Sequence, residues 1–212
     1  MRLTVFGASG GVGQEIVRQA LAAGHDVTAV VRDKSRLPLT EAKLEVVEVP
    51  VIDNPEALRD AVAGRDAVLS AVGPPTRKQA GMTAPVTRTI MEALELAGMH
   101  RLIVVSAAPL GPVPEGQPFL LRTVITPIID QLFKDNYVDL RIMEADLAAS
   151  GLDWTAVRPP QLLNKPTTGV YRTAVDGNLR GGRQISRGDV AHAMLAMVDD
   201  PATFGHGVGV AY

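Results

Sequence analysis

A short apolar run, RLTVF, breaks at once into GASGGVG and then into EIVRQALAAGHD. The run before the glycines reads as a strand. The stretch after them has helical spacing, with Ile16, Val17, Ala20 and Leu21 on one face. A glycine-rich turn between strand and helix brings bare backbone N–H groups up to a phosphate. It also aims the positive end of a helix dipole at that phosphate. Strand, turn and helix stand here in the order and place that a dinucleotide site requires, which is what gives the glycine spacing its weight.

At 212 residues the chain fits one domain with a full-sized core. Apolar residues make up 46% and charged residues 21%, the balance of a soluble globular protein. A formal net charge of -2 gives no reason to expect nucleic acid or an anionic membrane as partner. Four phenylalanines, three tyrosines and one tryptophan are too few for an aromatic nucleic-acid platform. There is no cysteine, so disulfides, thiolate zinc sites and cysteine nucleophiles are excluded. The N-terminus reads as a core strand rather than a signal peptide, and no apolar run is long enough to span a bilayer. The expectation is a cytoplasmic protein. With no coiled-coil pattern or long apolar surface helix, it is expected to be a monomer.

Strands and helices alternate from the start. The pattern predicts strands at 26–31, 44–49, 66–72, 101–107 and 153–158, with helices over about 55–63, 83–97, 136–150 and 187–198. Gly98 and Gly151 follow two of these helices. Ser186, with Asp189 three residues on, suits the cap of the last one. The strands are near-continuous runs of Val, Ile, Leu and Ala, as in a parallel sheet buried on both faces. The fold class is therefore α/β: a Rossmann-like, doubly wound parallel sheet in three α/β/α layers, one domain over 1–212. Loops on the substrate side are expected at 108–135 and 159–185, the second holding a strand within GVYRTAV. The first reads either as a surface loop or as a flap over the cofactor, since it follows the carboxyl end of a strand.

In the glycine turn, Gly7 allows the tight bend, Gly10 the close approach of a pyrophosphate, and Gly13 the packing of helix on strand. Ser9, Gly11 and Val12 offer N–H groups or a hydroxyl to the phosphates. The second strand ends in VVRDKSR. An NAD site places an acidic residue there, to accept from the ribose 2′-OH. Here the place is held by Arg32, with Lys34 and Arg36 close behind. A guanidinium favours a 2′-phosphate and has no acceptor for a bare ribose. Asp33 is the competing candidate, because a small main-chain shift would turn it toward a 2′-OH. Val51, Ile52 and Asp53 follow the third strand and are expected to flank the adenine, Asp53 being equally suited to cap the next helix. Ala71, Val72 and Gly73 end the fourth strand, where a ligand crosses the sheet edge. Arg77, in the next loop, reads either as a pyrophosphate or substrate contact or as a solvated charge.

Several segments together resemble a known group. GASGGVG, VRDKSRLP, VVSA, SGLDWTAVRPPQL, TGVYRTAVDG and ISRGDVAHAML, in this order and spread over nearly the whole chain, are similar to the NmrA-like NAD(P)H-binding group of atypical short-chain dehydrogenases/reductases. Within it the chain most resembles the biliverdin reductase B / flavin reductase family. The resemblance implies NADP(H) as cofactor. It implies hydride transfer to a flavin or linear tetrapyrrole held in a shallow, open pocket on the nicotinamide. It further implies Ser106 beside the nicotinamide, with Pro159, Pro160 and Gln161 lining the nicotinamide and substrate side. Flavin reductases of this family often carry a histidine where this chain has Gln161, a departure that bears on substrate orientation rather than on hydride transfer.

Carbonyl-reducing members of the wider superfamily use Ser, Tyr and Lys, the Tyr four residues before the Lys. The near-match here is Tyr137 with Arg141. Arginine supplies charge but does not titrate. Tyr137 therefore reads either as a catalytic hydroxyl or as a packing residue at a helix start. Glu144 and Asp146 stand two apart on one helix, so they point to different faces and one at least is solvated. Reduction of a flavin or quinone avoids the need for a tuned acid, since the acceptor atom takes its proton from water. No pair of the four histidines has metal-ligand spacing with a third ligand, and no metal is expected. The expected function is NADPH-dependent reduction of a small flat acceptor. Its rivals are a non-catalytic NADP(H) sensor of the NmrA type and a carbonyl reductase or epimerase using Tyr137.

Overall fold

The structure, a computed structural model, describes residues 1–74, 80–112 and 134–212. The strands are β1 (Arg2–Phe6), β2 (Asp26–Val31), β3 (Leu44–Glu48), β4 (Ala67–Ser70), β5 (Arg101–Val105), β6 (Asp153–Arg158), β7 (Gln161–Leu163), β8 (Arg172–Val175), β9 (Gln184–Ser186) and β10 (His206–Ala211). The helices are α1 (Gly11–Ala22), α2 (Arg59–Val62), α3 (Thr83–Leu96), α4 (Lys134–Ala149) and α5 (Arg187–Ala196). Eight strands form the main sheet in the order β3-β2-β1-β4-β5-β6-β10-β8, and β7 pairs with β9 beside it. The main-sheet pairings are parallel except that of β8 with β10. The doubly wound sheet expected from the alternation of elements is thus present.

Side-chain alternation along each strand divides the core between the two faces of the sheet. Leu3 and Val5 of β1 pack with Ile16, Val17 and Ala20 of α1 and with Val190, Ala193 and Met194 of α5. Phe6 faces the other way, into a cluster with Ile90 and Leu94 of α3 and Met143 and Leu147 of α4. Sequence order reverses at β1, whose neighbours are β2 and β4. In open α/β sheets that reversal leaves a crevice at the carboxyl ends of the strands, where ligands bind.

Local chemistry explains most helix ends. Gly98 follows α3 in the left-handed region at φ +65°, letting Met99 N–H return to the Leu94 carbonyl at 2.8 Å. Gly151 has no such role: Ser150 closes α4, its Oγ donating to the Leu147 carbonyl at 2.7 Å. Ser186 caps α5 as expected, accepting from Asp189 N–H at 2.9 Å. The segment predicted as one helix over 55–63 is a 3-10 turn at Glu56–Leu58 running into the single α-turn of α2. The expected strand within GVYRTAV is β8, and β10 at the carboxyl end is an element the sequence reading lacked. Among the described residues, no helix is long and apolar enough to cross a membrane.

Candidate functional site

The crevice at the sheet reversal is built by the glycine turn. Gly7 follows β1 at φ +69°, and a β-carbon there would stand 2.8 Å from the Ala71 carbonyl group and 2.9 Å from the Val72 nitrogen. Only glycine meets both demands, the left-handed backbone and the close approach to the chain just past β4. A β-carbon on Gly13 would lie 2.1 Å from the Gly7 oxygen, so the third glycine lets α1 close onto the turn. The Gly10 N–H donates to the Gly7 carbonyl at 2.9 Å, completing the bend. Gly10 then begins α1 with no side-chain cap. The first-turn amides of α1 are left facing the crevice, a cradle that suits a pyrophosphate. Ala71 and Val72 sit half-buried against Gly7, and Gly73 is exposed. Ser9 is half-buried and Val12 is buried, its side chain packing inward below the turn. Arg77 lies outside the described residues.

The adenosine side is set by the end of β2. Arg32 is exposed directly after Val31, and buried Leu37 anchors the turn that follows. Asp33 is exposed but engaged by its own turn. Its carboxylate accepts from the Ser35 hydroxyl at 2.7 Å and the Ser35 N–H at 2.9 Å, and these bonds hold its pKa below the ordinary value. The acidic competitor at this position is therefore engaged within its own turn, while Arg32 and Arg36 remain exposed cations. Val51 is exposed, as an adenine contact requires, and Ile52 packs partly into the core beneath it. Asp53 is exposed, but it is not the helix cap. Asn54 beside it supports the start of the turn instead, its Oδ1 accepting from Glu56 N–H at 3.0 Å.

At the other end of the crevice Ser106 leaves β5 with its N–H donated to the Val157 carbonyl at 2.7 Å. Its side chain does not stand alone. Ser106 Oγ donates to Glu144 Oε1 at 2.6 Å. Arg158, the last residue of β6, grips that carboxylate with both arms, Nε to Oε1 at 3.0 Å and Nη2 to Oε2 at 2.7 Å. Glu144 and Arg158 are each largely withdrawn from water, with side chains 13% exposed. Asp146, by contrast, is half-buried on the side of α3 and pairs with the exposed Arg88 at 2.6 Å. The two-residue spacing thus separated the carboxylates as helical geometry demands, one toward Arg158 and the other toward α3. Arg158 was not foreseen; its one signal is a charge ending an otherwise apolar strand just before two prolines.

Pro159 is buried and Pro160 half-buried beyond Arg158. The Pro159 carbonyl accepts from Ala108 N–H at 2.9 Å, which joins the loop after β5 to the loop after β6. Gln161 opens β7 exposed, its Oε1 within 3.4 Å of Gln184 Nε2 on β9. Tyr137 lies in α4, buried among core residues and seven positions before Glu144, so the two share a helix face. Arg141 is exposed. The suggested flap falls mostly on 113–133, outside the described residues.

Comparison with known proteins meets this geometry. A family described as NAD(P)H-binding matches residues 7–201, from the first cradle glycine to beyond α5. The chain belongs to this NAD(P)H-binding family. It is similar to the protein called uncharacterized sugar epimerase YhfK of Bacillus subtilis, 30% identical over 96% of this chain and 90% of the relative. It is also similar to the 3-diazoavenalumate denitrifying reductase of a Streptomyces species, 34% identical over 57% of this chain and 42% of that one. Among solved structures, a short-chain dehydrogenase/reductase of Veillonella parvula in complex with NADP superposes with a TM-score of 0.82. The two are 24% identical over 100% of this chain and 94% of that chain, a likeness that carries the fold. The cradle fits the family's cofactor on its own evidence: Gly7 and Gly13 let strand, turn and helix close together, and Gly10 begins α1 with no side chain to cap the first-turn amides.

Proposed function

We propose that this protein is an NADPH-dependent reductase delivering hydride to a flat acceptor, a flavin, quinone or linear tetrapyrrole. The observation that carries the reading is the commitment of the Ser106 proton to Glu144, which Arg158 in turn holds by two bonds. A carbonyl reductase of the short-chain type needs its serine and tyrosine to donate to the substrate oxygen. Ser106 instead offers lone pairs, which suit the N–H groups of a carboxamide or a heterocycle. The cation one turn beyond Tyr137 is the exposed, non-titrating Arg141. NADPH, when bound, supplies the hydride. The protein has to hold donor and acceptor carbons about 3–3.5 Å apart and leave protonation to water. The exposed Arg32 and the internal engagement of Asp33 support the 2′-phosphorylated cofactor. The motif likeness to flavin reductases and the reductase among the relatives point the same way.

The test is NADPH oxidation in the presence of flavin mononucleotide, riboflavin, a naphthoquinone or biliverdin. Turnover with at least one of them, stronger with NADPH than with NADH, supports the reading. Saturable cofactor binding without turnover on any acceptor removes it in favour of a sensor. A second reading, epimerisation, draws on the name of the Bacillus relative and on Tyr137 sharing the face of Glu144. A Tyr137→Phe variant that retains full flavin reduction counts against that second reading.

A further inference from the structure

Arg187 opens α5, and its side chain passes against Gly11, the first residue of α1 after the glycine turn. A β-carbon on Gly11 would stand 2.7 Å from Arg187 Cδ and 2.9 Å from Nε. The arginine therefore occupies the volume that any larger residue would claim at the first position of α1. Its point of departure is firmly held. Ser186 caps α5 just before it, and the Gly188 carbonyl just after it accepts from Gln19 Nε2 of α1 at 2.8 Å. Glycine at position 11 is not needed for backbone conformation, since its φ lies outside the left-handed region. What its missing side chain provides is passage for this arginine.

The guanidinium that arrives there has donors to spare. Among the described residues it makes one hydrogen bond, from Nη1 to Asn164 Oδ1, and has no carboxylate within 4.0 Å. Five N–H groups on a planar fork leave four for another acceptor. A half-buried arginine without a counter-charge among the described residues, set against Gly11 where α1 begins, is matched by an anion with paired oxygens.

We infer that Arg187 is a ligand of the dinucleotide pyrophosphate, closing over the cradle from α5 while the α1 amides hold it from beneath. The inference rests on the NAD(P)H-binding reading of the cradle. It assigns the cofactor two separated cations, Arg32 at the adenosine end and Arg187 at the diphosphate. It also accounts for three features that meet in space: a small residue at Gly11, the capped start of α5, and a guanidinium between them with no carboxylate partner among the described residues.

The experiment is isothermal titration of wild type, Arg187→Met and Asn164→Ala with NADPH and with adenosine 2′-monophosphate, which lacks the pyrophosphate. Arg187→Met is expected to weaken NADPH binding about tenfold to a hundredfold, the range of one to two charge-assisted bonds, and to leave adenosine 2′-monophosphate within about twofold. Asn164→Ala removes the same tie to the loop after β7 but keeps the cation, and is expected to hold NADPH within about threefold of wild type. Unchanged NADPH affinity in Arg187→Met overturns the inference. So does equal weakening of both ligands, or a loss in Asn164→Ala as large as in Arg187→Met, since either marks a structural role. Absence of saturable NADPH binding in the wild type overturns the cofactor reading itself, a result distinct from the others.

Discussion

Ser106 donates its hydroxyl proton to Glu144 Oε1 over 2.6 Å, and the oxygen that receives it is also bonded by Arg158 Nε at 3.0 Å. Three elements thus converge on one point: β5 brings the serine, α4 the carboxylate and β6 the guanidinium. The hierarchy within the trio decides what each substitution does. Ser106→Ala removes one hydroxyl and leaves the ion pair intact, for a stability loss of about 1 kcal/mol. Glu144→Ala leaves a mostly buried guanidinium without its counter-charge, for a loss of about 2–3 kcal/mol. Urea unfolding of the two variants checks the order. Turnover should separate them too: Ser106→Ala is expected to slow flavin reduction about tenfold at near-normal NADPH affinity, the effect of one lost hydrogen bond at the nicotinamide. Equal stability losses in the two variants would remove the ion pair from the account.

Position 207 offers an independent handle on the same trio. A β-carbon on Gly207 would stand 2.2 Å from Arg158 Cζ. Gly207→Ala is therefore expected to push the guanidinium off Glu144 and lower stability by about 1–3 kcal/mol, with flavin turnover falling alongside. Combining it with Glu144→Ala should give much less than the sum of the two, because both break one contact. Full additivity in urea unfolding would show that the residues act separately.

The same glycine shows why part of the molecule was legible in the sequence and part was not. The cradle, the alternation of strands and helices and the cap at Ser186 follow local rules that leave local marks, and the structure places them where those marks stand. The final strand leaves almost none. HGVGVA alternates valine with glycine, which weakens any strand signal. Its glycines answer to distant neighbours: Arg158 against Gly207, and the Gly177 carbonyl 2.4 Å from a β-carbon on Gly209. Arg158 and Arg187 were missed for a similar reason. Each becomes functional only through a partner more than a dozen residues away, Glu144 in one case and Gly11 in the other. Asp53 and Asn54 illustrate a smaller limit, since adjacent residues with the same capping chemistry differ only in where the backbone aims them.

Cofactor choice is expected to follow Arg32. Replacing it with alanine leaves the 2′-phosphate without its main cation at the end of β2, while Asp33 stays bound to Ser35 and does not become a ribose acceptor. Arg32→Ala should lower the preference for NADPH over NADH by about tenfold to a hundredfold, chiefly through weaker NADPH binding. Asp33→Ala should leave that preference nearly unchanged. Steady-state kinetics with both cofactors checks the pair, and a large shift in Asp33→Ala would transfer the role to the acid.

Acid stability is expected to track Asp189. Burial raises the pKa of this carboxyl, but the Tyr212 hydroxyl, the Gly169 N–H, the Ser186 hydroxyl and the Thr168 N–H donate to it and outweigh that effect. Its pKa falls from 3.8 to about 2. A depressed carboxyl pKa adds stability above its unfolded value, and that stability is lost as pH falls from about 4 through about 2. The contribution is about 2 kcal/mol. Asp189→Asn should therefore be less stable than wild type at neutral pH, with the gap narrowing below pH ~4 as the wild-type carboxyl protonates. Urea midpoints measured across that range test it; a gap independent of pH would mean that the charge of Asp189 does not matter.

The N-terminus of α3 makes a last demand on a neighbouring helix. Met82 stands at the cap position and provides no side-chain bond. The orphaned amides are met instead by Asp139 of α4, which accepts from Thr83 N–H at 2.8 Å and Ala84 N–H at 3.0 Å while only 4% exposed. One carboxylate thus ends one helix electrostatically and fixes its position against another. Removing it costs more than an ordinary surface cap, because two buried amides lose their acceptor together. Asp139→Ala is expected to cost about 2–3 kcal/mol, toward or beyond the upper end of N-cap substitutions. Asp139→Asn should fall between that and wild type, since one amide keeps an acceptor oxygen while the other meets an NH₂ group. Hydrogen exchange at Thr83 and Ala84 gives the local readout. Unchanged protection at both amides in Asp139→Ala would show that α3 is held by its apolar face alone.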